Sequence, residues 1–570
     1  MRLLSVSPLI SLALPGFSKL LHSLDELKST SYDYVIVGAG TAGSVLASRL
    51  SEDGENRILV VEAGVDNADI QNIIVPFLAP RAINTVVDWN FTSTPQVGLL
   101  NRTIPLPRGH VLGGCSSINF MAWNRGSNDM WDGFARLSND SSWAWNSVAK
   151  YYSKVSRLVP PVDGHNATGQ VEPSVHGNGP VQTSLAEVQM VTDPLVVSAA
   201  KSLGGRFKFN EDMNAGDMTG FGYVQSTVGH GERSSAATAY LVPVLNRTNL
   251  DVLINTRVLK ISSSKGGRVP TIDTLEVAQS AEGPRLNITA HKEIILSAGA
   301  FGTPQILLLS GIGPRVDLTK LHIPVLVDSP DVGNHLADQV LLSTYYVVNS
   351  SSTIDPVSRN ATLQQELLQQ WESSRTGLMS NPPGGSMMAF LKNPSDFLGG
   401  FDPSSGPGSG NTELIIYNGF APGALPVLQD GSYLTAAMSV VSPTSRGTFT
   451  LNSNNPFDSP VINPQIFATQ YDIKSMIQVM KDADTFVSQA AWDGFVVRPF
   501  IEFADDRERE MYARNTSTSI SHSVGTARMG PGGVEGGVVD SGLRVKGVKG
   551  LRIVDASIFV SHTSVDQPVS

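Results

Sequence analysis

Residues 34–50 read YVIVGAGTAGSVLASRL, a β-branched run followed by three closely spaced glycines and a helical pattern. The apolar run at 34–37 is typical of a buried parallel strand. In this order Gly38 permits a tight turn, Gly40 lets the backbone approach a pyrophosphate, and Gly43 lets the helix pack against the strand. The stretch therefore predicts an α/β fold that begins with a Rossmann-type dinucleotide-binding unit.

A second apolar run at 58–61 ends at Glu62 and Ala63, where the ribose of a dinucleotide is expected. The phosphates of the ligand would meet the helix N-terminus at Thr41 and Ala42. An acid at the position of Glu62 can accept hydrogen bonds from a ribose hydroxyl and disfavours a 2′-phosphate. The motif therefore makes NADP a poor candidate and leaves NAD and FAD open.

Composition excludes several other classes of protein. The chain has 570 residues, of which 41% are hydrophobic and 16% charged, which is typical of two packed globular domains. The net charge is −10 and there is no long Lys/Arg run, so a nucleic-acid partner is not expected. Cys115 is the only cysteine, so no intramolecular disulfide can form, and no ligand-spaced Cys/His cluster predicts a metal.

The N-terminal residues 1–18 predict a signal peptide, because Arg2 precedes an apolar run too short to span a bilayer. The alternative is an uncleaved amphipathic leader. Sequons for N-glycosylation support export to the extracellular space. The short apolar run predicts no membrane partner. Nine asparagines have Ser or Thr two positions later and no proline between: Asn90, Asn101, Asn139, Asn166, Asn246, Asn287, Asn349, Asn360 and Asn515.

Two longer segments narrow the choice of cofactor. Residues 108–119 read RGHVLGGCSSIN and residues 299–313 read GAFGTPQILLLSGIG. They resemble the two signatures of the glucose–methanol–choline (GMC) oxidoreductases, and the similarity continues through 331–336 and 551–557. It covers nearly the whole chain after residue 31 and is nearest to fungal aryl-alcohol oxidases and pyranose dehydrogenases. The resemblance implies FAD as cofactor and the GMC oxidoreductase fold.

The resemblance also implies which residues hold FAD. Gly114, Ser116 and Asn119 belong to the glycine-rich turn that lies against the flavin in the family. Residues 253–261 resemble a strand whose valine backbone meets the adenine, here Val258. The C-terminal similarity adds the pair Asp555 and Ala556.

His110 stands where related pyranose dehydrogenases carry a histidine bonded covalently to the flavin, while aryl-alcohol oxidases have arginine there. A covalent link would withdraw electrons from the ring and favour hydride acceptance. The alternative is a histidine that only hydrogen-bonds near the cofactor.

Residues 521–527 resemble the active-site segment of the family, which makes His522 the catalytic base; an imidazole near its ordinary pKa is well suited to this role. The family supplies a second His or Asn further on, followed by a helix that covers the flavin. Here His562, a tentative second catalytic residue, comes too early, and Asp566 occupies the expected position. The segment 559–570 therefore predicts a truncated, alternatively spliced or mis-joined C-terminus and a slower enzyme.

The predicted organisation is an FAD-binding domain interleaved with a substrate-binding domain. The FAD-binding domain is predicted at 32–97, 225–325 and 510–570, and the substrate-binding domain at 98–224 and 326–509.

The resemblance implies oxidation of a primary or secondary alcohol by hydride transfer to flavin N5. Candidate substrates are aryl or allylic alcohols and sugar hydroxyls, with O2 or a quinone-type molecule as electron acceptor. Ser521 replaces an aromatic residue of the aryl-alcohol oxidases, which predicts a more polar pocket, while Phe91 retains a ring where those oxidases have tyrosine. Two alternatives remain: a hydroxynitrile lyase-like protein that keeps FAD structurally, and a non-catalytic flavoprotein.

Overall fold

The computed structural model describes residues 20–264, 267–421, 425–426, 428–530 and 536–560. The predicted signal peptide at 1–18 lies outside the described residues, as do His562 and Asp566.

The first of two large sheets has eight strands and contains the predicted glycine-rich unit. Its strands follow the order Leu20–Leu21, Leu250–Leu253, Ile58–Val61, Ser31–Val37, Leu286–Leu296, Thr274–Ala278 and Arg257–Ser262, with Leu551–Ile553 pairing beside Leu286–Leu296. The pairs among the first five strands are parallel. All four residues of Ile58–Val61 are buried, which is the environment that a continuous β-branched run requires.

The predicted strand at 253–261 is two strands in the structure. The chain leaves the parallel sheet after Leu253, turns through Asn255 in the left-handed region (φ 54°), and starts a new strand at Arg257. The continuous strand expected from the sequence was therefore wrong, although Val258 lies at the start of its second half. Asparagine tolerates this backbone conformation, which permits the break.

The second large sheet is antiparallel and has six strands. They are Met387–Leu391, Thr412–Tyr417, Tyr433–Val440, Val340–Val348 and Val496–Pro499 in order, with Thr518–Ser519 pairing beside Val340–Val348. The helix Gln470–Val487 packs on this sheet. Its buried Met476, Val479, Met480 and Ala483 recur at helical spacing and form the contact face.

The remaining elements lie between these strands along the chain and are shorter than Gln470–Val487. The other α-helices are Thr41–Leu50, Gln71–Ile74, Asn128–Ser138, Trp145–Val155, Asp193–Leu203, Gly299–Leu309, Arg315–Lys320, Asp355–Arg359, Ala361–Ser374 and Asp506–Thr516. The other strands are Phe91–Thr92, Pro105–Leu106, Ser156–Leu158, Val181–Thr183, Gly220–Tyr223, Val228–Gly229, Glu232–Arg233, Ile312–Gly313, Val327–Asp328, Asn334–Leu336, Gly447–Thr450 and Val461–Asn463. Within the described ranges, no helix is both long and apolar enough to cross a bilayer.

The first sheet draws most of its strands from the ranges predicted for the FAD-binding domain. Leu20–Leu21 is an addition before residue 32, and Thr518–Ser519 joins the other sheet although it falls within 510–570. The domain division itself stays a prediction.

Candidate active site and cofactor cavity

A cavity of about 1130 Å³, counted to its open mouth, lies at the carboxyl ends of the parallel strands. This is where ligands bind in open α/β sheets. The cavity brings together predicted residues from four distant parts of the chain: Gly38, Gly40, Thr41, Ala42, Glu62, Ala63, Gly114, Val258, Asp555 and Ala556.

Close backbone packing explains the glycines around the cavity. A Cβ on Gly38, whose φ is +98°, would lie 2.5 Å from the carbonyl oxygen of Ser297, and one on Gly114 would lie 2.7 Å from Cα of Gly40. Gly43 does not line the cavity; its Cβ would lie 1.9 Å from the carbonyl oxygen of Gly38, so it packs the helix against the turn. Bare backbone at this surface lets a planar or phosphorylated ligand approach closely.

The Glu62 carboxylate is buried at the end of its strand and accepts two backbone hydrogen bonds. Oε2 accepts from the Ala39 amide and Oε1 from the Gly64 amide, each at 2.7 Å. Burial raises the pKa of Glu62 to about 7, and the two amide donors oppose this rise. Each carboxylate oxygen has a second lone pair, so the group can also accept from a ribose hydroxyl.

Asp555 ties the C-terminal strand to the helix that begins at Gly299. Its Oδ2 accepts from the Gly299 amide at 3.0 Å and from the Thr303 hydroxyl at 2.5 Å. Its Oδ1 accepts from the Ser557 amide at 2.9 Å. Burial raises the pKa of Asp555 while these donors lower it. The residue thus anchors the cavity wall that it forms together with Ala556.

Ser116 and Asn119 brace the glycine-rich turn and do not line the cavity. The Ser116 hydroxyl donates to the carbonyl of Gly113 at 2.6 Å and accepts from the Ala236 amide at 3.0 Å. The Asn119 Oδ1 accepts from Arg233 at 2.7 Å. Their contact with FAD stays a prediction.

His110 lies beside the cavity, not in its wall. Its Nδ1 is 3.2 Å from the carbonyl oxygen of Val86, and its ring centroid is 4.3 Å from that of Trp89. Trp89 lines the cavity and so does Gly109, whereas His110 does not. The covalent attachment of FAD at His110 stays a prediction.

A cationic side chain that sequence analysis missed also faces the cavity. The Arg257 guanidinium lies 5.1 Å from the ring centroid of Trp89 and 5.4 Å from that of Phe457, and it donates to Gln305 at 3.1 Å. Burial lowers the pKa of Arg257 to about 10, so it remains charged near neutrality. A buried cation favours an anionic ligand. In the sequence, the only feature that could have indicated a role for Arg257 at the cavity is its position directly before Val258.

His522 is held by two consecutive residues from another part of the chain. Its Nδ1 lies 2.7 Å from Oε1 of Gln339, and its backbone amide donates to Oδ1 of Asp338 at 3.1 Å. Burial, assisted by the positive charge of Arg108, lowers the pKa of His522 to about 3. The imidazole is therefore neutral at physiological pH. The next residue, Ser523, lines the cavity.

Arg108 fixes the segment that carries His522. Its guanidinium donates to the carbonyl of Ser521 at 2.6 Å and lies 4.9 Å from the ring centroid of Phe301. Arg108 and Phe301 both line the cavity. The histidine segment and the predicted cofactor cavity therefore share one wall.

The residues present fit FAD. The glycine surface admits a pyrophosphate, Glu62 can accept from a ribose, and Arg257 supplies a cation along the same cavity. Within the described ranges, no group of three or more His, Cys, Asp or Glu side chains is placed to hold a metal ion.

Comparison with known proteins agrees with this geometry. Models of the N- and C-terminal GMC oxidoreductase domains match residues 32–341 and 443–568. Dehydrogenase eriK of Hericium erinaceus is 36% identical, over 97% of this chain and 94% of its own length. Pyranose dehydrogenase 3 of Leucoagaricus meleagris is 35% identical, over 98% and 95%.

A solved structure of Aspergillus oryzae formate oxidase, studied for the modification of its FAD, has a TM-score of 0.85 at 28% identity. The match covers 94% of this chain and 95% of that one. The chain belongs to the GMC oxidoreductase family and is an FAD-dependent oxidoreductase.

Proposed function

We propose that this protein oxidises a primary or secondary alcohol, with His522 as the base that takes the hydroxyl proton. The observation that carries the proposal is the placement of His522, whose ring contacts Gln339 and whose backbone amide donates to Asp338, directly before the cavity residue Ser523. Because its pKa lies below physiological pH, the imidazole is unprotonated there and has a lone pair that can accept the hydroxyl proton.

The chemistry divides between cofactor and protein. Bound FAD supplies the acceptor for the hydride that leaves the alcohol carbon. His522 takes the hydroxyl proton, so the alcohol loses one hydride and one proton and becomes a carbonyl compound. Arg108 and Asp338 keep the histidine segment in place while this occurs. A base held in a fixed position contributes roughly 10²- to 10⁴-fold to such a step.

Sugar hydroxyls are the favoured substrate class. Several relatives at 34–35% identity are pyranose dehydrogenases. Ser521 also presents a small polar residue beside His522, where an aromatic residue would suit a benzylic alcohol. Reoxidation by O2 or by a quinone-type acceptor completes the proposed cycle.

Anaerobic addition of candidate alcohols tests this function. Pyranoses and aryl or allylic alcohols are added separately to the yellow protein, and the visible flavin band is followed. We expect bleaching with at least one sugar. Retention of the full band with every alcohol, together with release of cyanide from a cyanohydrin, would instead support the lyase-like alternative.

We also propose that the protein is exported and N-glycosylated. All nine sequon asparagines are exposed, including Asn90 and Asn287, whereas other asparagines such as Asn124, Asn214 and Asn411 are buried. An oligosaccharide at an exposed position costs no core packing. Digestion of the secreted protein with an N-glycosidase should lower its mass. An unchanged mass, with the protein retained inside the cell, would contradict the proposal.

A further inference from the structure

The Gln339 side chain is fully buried between His522 and a backbone carbonyl. Its Oε1 is 2.7 Å from Nδ1 of His522, and its Nε2 donates to the carbonyl of Val441 at 3.0 Å. Both ends of the amide are therefore engaged.

The register of the second sheet places Gln339 at this point. Gln339 immediately precedes the strand Val340–Val348, which runs between two antiparallel neighbours. Val340 pairs with Val440 on one side and with Ser519 on the other. The carbonyl of Val441 and the segment leading to His522 consequently flank the start of the strand. The Gln339 carbonyl also accepts from the amide of Ile520 at 3.0 Å, which fixes the spacing.

The carbonyl of Val441 determines which way the amide of Gln339 points. A backbone carbonyl can only accept a hydrogen bond, so the amide atom facing Val441 must be the NH2 group. The atom facing His522 is then the oxygen, which can only accept. Nδ1 of His522 must therefore carry a proton in order to make the 2.7 Å contact.

A neutral imidazole has one protonated nitrogen, so protonation at Nδ1 leaves the lone pair on Nε2. We propose that Gln339 is a positioning residue that holds His522 in the Nδ1–H tautomer, so that Nε2 is the nitrogen that accepts the substrate proton. This inference rests on the proposed role of His522 as the base. Asp338 acts on the backbone of the same residue, so the two neighbours fix both the position of the segment and the tautomer of the ring.

Gln339→Met tests the tautomer directly, because methionine has similar length and neither donates nor accepts strongly. Histidine labelled with ¹⁵N gives separate ring-nitrogen shifts for the two tautomers, and the His522 signals are those lost in His522→Ala. We expect wild type to show the Nδ1–H tautomer and Gln339→Met to populate Nε2–H. Gln225→Met is the matched control, since Gln225 is also buried and bonded at both ends, but to Asn214 and Asp212.

The same variants are compared by rapid-mixing flavin reduction at saturating alcohol. Loss of the correct tautomer should slow reduction by roughly 10- to 10⁴-fold in Gln339→Met, the span expected for an orienting partner of a catalytic histidine. Gln225→Met should reduce at nearly the wild-type rate. A wild-type tautomer and rate in Gln339→Met would overturn the inference.

Gln339→Glu keeps the test decisive if the methionine variant does not fold. A carboxylate still accepts from Nδ1, so the tautomer should persist, while its negative charge should raise the pKa of His522 and shift the pH profile of reduction upward. An unshifted profile would contradict the inference. Fast reduction in His522→Ala would instead refute the proposed base, whereas slow reduction there with fast Gln339→Met would refute only the role of Gln339.

Discussion

Glu62 shows how one buried carboxyl links cofactor binding to pH. Because burial raises its pKa to about 7, the group takes up a proton below that pH, whereas a ribose hydroxyl donates best to the ionised form. We expect FAD affinity to fall as pH drops through 7, by at most about 1.4 kcal/mol per pH unit. Fluorescence titration of apoprotein between pH 5 and 8 measures this, in a His110→Ala background that cannot form a covalent link.

Two substitutions of Glu62 serve as controls for that titration. Glu62→Gln should bind FAD more weakly but without the pH dependence, since its amide does not titrate. Glu62→Ala should lose about 1–3 kcal/mol of binding free energy with the hydrogen bonds. Affinity that is independent of pH in the parent protein would show that Glu62 does not contact the ribose.

His110 supports a separate prediction about covalent attachment. If its imidazole bonds to the flavin, acid precipitation should leave the yellow colour in the pellet, and His110→Ala should release it to the supernatant. Flavin found wholly in the supernatant of the parent protein would exclude the covalent link and leave FAD binding intact.

At the level of elements, Gly114 packs too closely against Gly40 to carry a side chain of its own. Gly114→Ala would place a Cβ 2.7 Å from Cα of Gly40, in a left-handed conformation with φ +54°. We expect this variant to lose FAD, because the turns must separate. Gly54→Ala is the matched control: its φ is also left-handed at +75°, but nothing lies within 4 Å of its Cβ. Equal FAD content in the two purified variants would contradict the account.

Local patterns predicted the elements around the cofactor better than those around the base. The strands near Val37 and Val61 and the following helix were predictable because glycine spacing and β-branched runs are local signals. The break at Asn255 was missed because resemblance alone predicted one strand there, whereas the turn depends on a single residue in the left-handed region. The contact of His522 with Gln339 joins residues 183 positions apart and depends on strand register, which no local pattern encodes.

Across the whole molecule, the neutral His522 couples folding to pH. Its pKa falls from 6.5 to about 3 on folding, so between these values the unfolded chain binds a proton that the folded chain does not. The free energy of unfolding should therefore decrease as pH falls through this window. Above pH 6.5 both the folded and the unfolded chain carry the neutral imidazole, so His522 adds no pH dependence there. Denaturant unfolding of the parent and His522→Ala should show a weaker pH dependence in the variant. Identical slopes would mean that the imidazole is not desolvated.

The strands of the second sheet lie, along the chain, between two strands of the first sheet. This order explains why the cavity and the base form one site. Strands from both ends of the chain build the cofactor cavity, while Asp338 and Gln339, just before a strand of the antiparallel sheet, hold His522. The sequence indicated the cofactor residues and the histidine separately. Their common wall through Arg108 and Phe301 became evident only in three dimensions.

Rapid-mixing reduction of the flavin under anaerobic conditions, at saturating alcohol, measures whether His522 takes the hydroxyl proton. The parent protein is compared with His522→Ala and with His291→Ala, which removes an exposed histidine on the strand Leu286–Leu296. We predict that His522→Ala reduces at least about 100-fold more slowly, the scale of one general base. His291→Ala should match the parent. Equal rates with and without His522 would contradict its assignment as the base.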